Sequence, residues 1–150
     1  MPHFYAPFSE TSNLLGDVFV LDILPPPARG AVDYTLGANV VLDLRETLIA
    51  PQLAQEFGAV SAGEEISVVL HQRSFKTFNI HEFDPIPVRI RFAPARLGPN
   101  YIQIGLDDLH KYFEISHFEP TSANPSPPFL YFEPHPQYAD QCHELTASGT

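Results

Sequence analysis

The 150-residue sequence has 18 acidic residues against 8 lysines and arginines, and its formal net charge is −10. This balance excludes nucleic acid and anionic membrane surfaces as predicted partners, because both attract cationic proteins. The 16 prolines leave little room for long helices, since proline breaks a helix interior.

Short segments of alternating or continuous apolar residues, each bounded by turn residues, predict β-strands along the chain. The clearest is residues 88–92, where Val88, Ile90 and Phe92 alternate with two arginines. The predicted strands are, in chain order, residues 17–24, 32–36, 39–44, 66–72, 75–83, 88–92, 101–106 and 112–118.

Helices are expected in only two places. Residues 45–57 predict a helix of at most two turns, because Pro51 suits a first turn and Gly58 suits the position after the last. Residues 107–110 are a second candidate, since Asp is a good N-cap.

Seven or eight short strands with short connections are typical of an all-β fold. We predict an antiparallel β-sandwich or distorted β-barrel with one or two short helices, because such connections are too short for parallel crossovers.

Residues 119–150 differ in composition from the β domain predicted for residues 1–118. Six prolines fall within residues 119–136 and flank the run Phe129-Leu130-Tyr131-Phe132. Such aromatic residues are unusual in a pure linker. We therefore predict an extended Pro-rich and aromatic C-terminal arm that packs either on the domain or on a partner, and a frayed polar tail over residues 137–150.

Two groups of residues are candidates for binding a partner. Five of the basic residues fall within 24 positions, and we select Arg73, Arg89 and Arg91 because guanidinium groups suit carboxylates and other anions. The alternative is that these arginines pair with the protein's own acidic residues. The second group comes from the arm and consists of Phe129, Tyr131 and Phe132, since aromatic residues are enriched in interface cores.

No catalytic residue, metal site or cofactor is predicted. The sequence contains neither a G-x-S-x-G nucleophile motif nor a phosphate-binding glycine loop. The secondary candidate for a metal site is a 2-His-1-carboxylate group of His71, His81 and Asp84, for which scattered imidazoles are the alternative. Cys142 is the only cysteine, so an intramolecular disulfide is excluded.

These observations favour a non-enzymatic protein-binding or assembly domain, with a protein partner or self-association. A lectin-like domain that binds carbohydrate or a small ligand is the alternative, and a small metal-dependent enzyme is a further one. The sequence shows no signal peptide and no apolar run of the ~18 residues that span a membrane. We therefore expect the protein in the cytoplasm or within a particle or assembly.

Overall fold

A computed structural model describes residues 4–9, 18–30, 35–73, 79–123 and 127–146. The strands, in chain order, are β1 (Phe4–Pro7), β2 (Val18–Leu24), β3 (Leu36–Val41), β4 (Thr47–Ile49), β5 (Glu65–Arg73), β6 (Asn79–Phe83), β7 (Ile86–Phe92), β8 (Ile102–Gln103), β9 (Phe113–Phe118), β10 (Phe129–Pro134) and β11 (Cys142–Thr146). The α-helices are α1 (Pro51–Glu56) and α2 (Leu106–His110), and 3₁₀ helices lie at Pro26–Ala28, Ala95–Leu97 and Pro136–Gln141. Within the described ranges, no helix has the length and apolar character needed to cross a membrane.

Six strands form a closed barrel, which confirms the predicted all-β class with a barrel and few short helices. Around the ring the order is β5, β2, β3, β8, β4 and β7, and β7 pairs back to β5. Strand β5 makes this closure possible because its first half pairs with β7 and its second half continues the sheet to β6 and β11.

Most pairings between the described strands are antiparallel, as predicted. Two are parallel: β3 with β8, and β4 with β7. In both cases long stretches of chain separate the paired strands in sequence, and this separation permits the crossover that parallel pairing needs.

A second sheet of three strands, in the order β1, β10, β9, packs one face against the barrel. Phe4 pairs with Phe132 across β1 and β10. Their rings and that of Phe113 belong to the hydrophobic core, and Phe113 lies 5.9 Å from Phe4 and 6.1 Å from Phe132 between ring centroids. Residues 129–134 of the predicted arm are therefore the central strand of a sheet within their own chain.

The structure differs from the sequence predictions at several places. Strand β1 was not predicted, and the strand predicted at residues 101–106 is reduced to β8. Two further differences concern the first predicted helix and the predicted tail. Residues 47–49, inside the predicted helix, form strand β4, because Thr47 and Ile49 are buried where they pair with β7 and β8. Residues 142–146, expected as part of a frayed tail, form β11 because their backbone pairs with β6. Hydrogen bonds of His143 with Asp84 and of Glu144 with Asn79 add to this pairing. The predicted strand at 32–36 lies mostly outside the described residues, as do residues 75–78 of the strand at 75–83 and residues 147–150 of the tail.

The barrel interior holds the main core, and a smaller buried layer lies outside the barrel on β2, β5 and β6. Leu24, Val69 and Ile80 are buried in these three strands but are not part of the main core cluster. Because side chains alternate along a strand, His71 and Glu82 point to the same outer side as these apolar residues. The outer layer therefore surrounds two ionisable side chains with protein.

Candidate functional site

The outer face of the three-stranded sheet carries four neighbouring aromatic rings. Strand alternation directs Phe4, Leu130 and Phe132 into the core and leaves the residues between them on the other side. We call this outer cluster the aromatic face, and it consists of Tyr5, Phe118, Phe129 and Tyr131.

The rings of the aromatic face hold one another in place. Phe118 and Phe129 are stacked, with 4.9 Å between centroids and 12° between planes. Tyr5 meets Phe129 and Tyr131 edge-on, at 5.4 and 5.3 Å. Such pairs contribute about 0.5–1.5 kcal/mol each beyond area burial. These contacts restrict the rings of the face, of which Phe118 is 47% and Tyr5 37% exposed.

The charge on this face is negative. Glu114 and Glu133 are directly opposite each other on β9 and β10, two positions along from the Ser116–Tyr131 pair. Strands β1, β9 and β10 contain no lysine or arginine. Desolvation raises the pKa of the Tyr131 hydroxyl, and the nearby Glu133 adds to this shift. A cationic group beside these two carboxylates would relieve their mutual repulsion.

The predicted arm residues divide between the two sides of the sheet. Phe129 and Tyr131 belong to the aromatic face, whereas Phe132 is fully buried and packs in the core. Tyr5 and Phe118 complete the face but were not singled out from the sequence. Only the pairing of β1 and β9 with β10 brings them to the arm, and no local pattern encodes that pairing.

The predicted arginines Arg89 and Arg91 lie on β7 and line a cleft of about 720 Å³ on the barrel. Arg91 lies 3.5 Å from a carboxylate oxygen of Glu46, and Arg89 donates a 3.1 Å hydrogen bond to the carbonyl of Gly63. A third arginine in the cleft, Arg45, lies 3.9 Å from Asp107. Arginines and carboxylates thus alternate in this cleft, and it is not a purely positive surface. Arg73 ends β5, outside the cleft lining.

Four ionisable residues lie side by side across neighbouring strands on the outer side of the barrel. His71 is opposite Glu82, and Glu82 is opposite His143. The β2–β5 register continues this row to Asp22. We call Asp22, His71, Glu82 and His143 the cross-strand row, in which acidic and basic side chains alternate.

The centre of the row is a buried acid–base pair. His71 Nδ1 lies 2.9 Å from Glu82 Oε2, and the side chains are 2% and 0% exposed. The backbone N–H of Gly30 donates to the same oxygen at 2.8 Å, and Arg29 Nε approaches the other oxygen at 3.5 Å. The loop after β2 therefore covers the pair.

At the exposed end of the hydrogen-bond network around Glu82 lies an ion-paired carboxylate, Asp84. Its Oδ1 lies 2.9 Å from both Arg29 Nη2 and His143 Nε2. Partial desolvation alone would raise the pKa of Asp84, but the hydrogen bonds and positive charge of Arg29 and His143 outweigh it and hold the pKa below its usual value. At the other end of the row, desolvation raises the pKa of Asp22, and nearby His71 offsets part of this shift.

The three secondary metal candidates do not converge on one point. His71 and Asp84 join the same network through Glu82 and Arg29, whereas His81 lies on the opposite face of β6 and approaches Glu144 at 3.8 Å. In the described part of the chain, no group of three or more His, Cys, Asp or Glu side chains has an arrangement that could hold a metal ion.

Cys142, the only cysteine of the sequence, packs against the hydrophobic core, and this burial raises its pKa to about 11. A thiol with such a pKa is protonated at neutral pH and is a poor nucleophile.

The buried pair of His71 and Glu82 is likewise covered by described residues of the protein. Its hydrogen bonds connect β5 and β6 to the loop after β2. Among the described residues, the aromatic face is a partly exposed group whose rings contact one another. No protein family, curated protein or solved structure matches the chain.

Proposed function

We propose that this protein is a protein-binding β domain and that the aromatic face is its contact surface. The observation that carries the proposal is the cluster of Tyr5, Phe118, Phe129 and Tyr131, which is ordered, partly exposed and next to two glutamates.

Aromatic side chains are suited to this role because they offer a large contact area and lose little rotamer freedom on binding. Their mutual ring contacts limit that freedom further before any partner arrives. Binding energy is therefore not spent on ordering the surface.

The charge of the face indicates the kind of partner. Glu114 and Glu133 are paired across the sheet without a lysine or arginine in its strands, and the whole chain is strongly acidic. We therefore expect a partner with lysine or arginine next to apolar side chains, which can contact both the carboxylates and the ring faces.

A library of displayed random peptides, selected on the full chain, tests the proposal. Tyr5→Ser and Phe118→Ser remove the exposed rings of the face. Val60→Ser is the matched control, because Val60 is 74% exposed on another part of the chain. Selected peptides should bind at least about 10-fold more weakly to either face variant and equally well to the control.

Two results would contradict the proposal. One is a set of peptides whose affinity is the same for wild type, Tyr5→Ser and Phe118→Ser. The other is the absence of selected peptides together with ring-dependent binding to a glycan array, which would make the face a carbohydrate site.

A further inference from the structure

Strand β9 is the last strand of the three-stranded sheet. One of its edges pairs with β10 over its whole length, from Phe113↔Pro134 to Phe118↔Phe129. Along the described ranges, no strand pairs with its other edge. Residues 114, 117 and 118 are exposed, so solvent reaches this part of the strand.

The hydrogen-bond pattern identifies which backbone groups face that open edge. The N–H of His135 donates to the carbonyl of Tyr112 at 2.9 Å, in line with the β9–β10 ladder. Backbone groups alternate in direction along an antiparallel ladder. Glu114, Ser116 and Phe118 therefore bond to β10, and Ile115 and His117 direct their N–H and C=O groups away from it.

We propose that the partner binds as an additional strand along the open edge of β9, through an extended segment that carries lysine or arginine. This inference rests on the proposed function of the aromatic face and specifies how the partner lies on it. An unpaired edge strand is a template for another chain, and main-chain hydrogen bonds of this kind supply affinity while side chains supply specificity.

The spacing of β9 side chains defines the segment further. Glu114 and Phe118 lie on the outer face, four residues apart. A strand paired alongside has the same repeat, so its basic residue beside Glu114 and its apolar residue beside Phe118 are also four apart. Both project onto the outer side, where the apolar residue extends the aromatic face.

A second copy of this chain is a poorer occupant of the edge. Each copy carries a formal charge of −10, and antiparallel pairing of two β9 strands would bring their glutamates into the same small sheet. The net charge of each copy opposes self-association, and like charges are destabilising in any register that sets them directly opposite each other, whereas a basic segment is attracted.

The matched variants His117→Pro and His117→Ala test the inference with peptides selected on the wild-type chain. Proline removes the N–H that faces the open edge and places its ring there, but it breaks no hydrogen bond to β10. Alanine removes the same side chain and keeps the N–H. We expect His117→Pro to bind at least about 10-fold more weakly and His117→Ala to bind within about 3-fold of wild type.

A second measurement decides the question even if His117→Pro does not fold. N-methylation of each peptide residue in turn should abolish binding at every second position, because only alternate peptide N–H groups face β9. Equal binding by His117→Pro and His117→Ala, or no two-residue period in the N-methyl series, would overturn strand addition. Loss of binding in Phe118→Ser would still support the aromatic face in that case.

Two further outcomes distinguish failure of strand addition at β9 from failure of the proposed binding function of the aromatic face. If Tyr5→Ser and Phe118→Ser also leave binding unchanged, the proposed function itself fails. Concentration-dependent dimers in light scattering that are lost in His117→Pro would assign the edge to a second copy and overturn the basic partner.

Discussion

His71 Nδ1 lies 2.9 Å from Glu82 Oε2, and both side chains are buried. The same carboxylate oxygen accepts the backbone N–H of Gly30. One buried acidic group thus joins β5, β6 and the loop after β2, so its removal should affect stability more than binding.

Glu82→Gln keeps the shape of this side chain and replaces one carboxyl oxygen by an amide NH₂. We expect the free energy of unfolding to fall by about 1–3 kcal/mol, because the amide cannot make the same set of buried hydrogen bonds to Gly30 and His71. Asp43→Asn, the same change at an exposed carboxylate, should stay within about 0.5 kcal/mol of wild type. Urea unfolding with an unchanged m-value measures both, and equal midpoints for the two variants would show that the buried pair contributes little.

The Asp84 ion pairs should make stability depend on pH in the acidic range. Because the folded pKa of Asp84 lies below its ordinary 3.8, the stabilisation is fully present above 3.8 and is lost as pH falls through the lower folded value. Urea midpoints between about pH 6 and about pH 2 should therefore converge for wild type and Asp84→Asn as the solution becomes acidic. A constant difference over this range would contradict the assignment.

Asp22 should behave in the opposite sense, because desolvation raises its pKa. Above the folded pKa its ionised form costs stability, and protonation at low pH removes that cost. Asp22→Asn should therefore raise the melting temperature at neutral pH and change it little at about pH 2.5. A lower melting temperature at neutral pH would mean that attraction to His71 outweighs desolvation.

Gly105 lies against the backbone of Arg45 and Glu46, the two residues that precede β4. A Cβ at this position would stand 2.1 Å from the carbonyl oxygen of Arg45 and 2.6 Å from Glu46 C, so a backbone must shift. Gly105→Ala should cost about 3 kcal/mol or more. Gly58→Ala is the control because Gly58 has φ +86° and open space around its Cα, so it should cost only about 1–2 kcal/mol of backbone strain. Chemical denaturation of both variants distinguishes a clash from strain, and a smaller loss for Gly105→Ala would contradict the close approach.

Cys142 should react slowly with thiol reagents, because burial against the core raises its pKa to about 11. At about pH 8 we expect modification at least about 10-fold slower than for a small free thiol, even after allowing for the greater nucleophilicity of a more basic thiolate. The rate should reach that of the free thiol in denaturing urea. A fast reaction of the folded chain would indicate that β11 separates readily from β6.

The fold class could be predicted because its signal is local. Alternation in residues 88–92 and the apolar run at residues 66–72 each identify a strand without reference to the rest of the chain. Strand β4 could not be identified in this way. Its three residues have no pattern of their own, and they are a strand only because β7 and β8 lie on either side.

The candidate sites likewise combine residues that local sequence patterns identify with residues that only the tertiary fold brings to them. Phe129 and Tyr131 were identifiable from composition, but Tyr5 and Phe118 reach them through pairings between distant parts of the chain. His71 and Asp84 were named together from the sequence as secondary metal candidates, and the structure joins them in one network through Glu82 and Arg29. Arg29 and His143 were not named with them, because they come from a loop and a strand that no local pattern connects to those two residues.

The pairing of β1 with β10 has a consequence for biosynthesis. Strand β1 can pair with β10 only after residues 8–128, which separate the two strands in the sequence, have been synthesised, and until then Phe4 lacks its cross-strand neighbour Phe132. Nascent chains commonly expose such apolar surface to chaperones. Assembly of the small sheet is thus a late event, and the aromatic face exists only on molecules whose translation has passed β10.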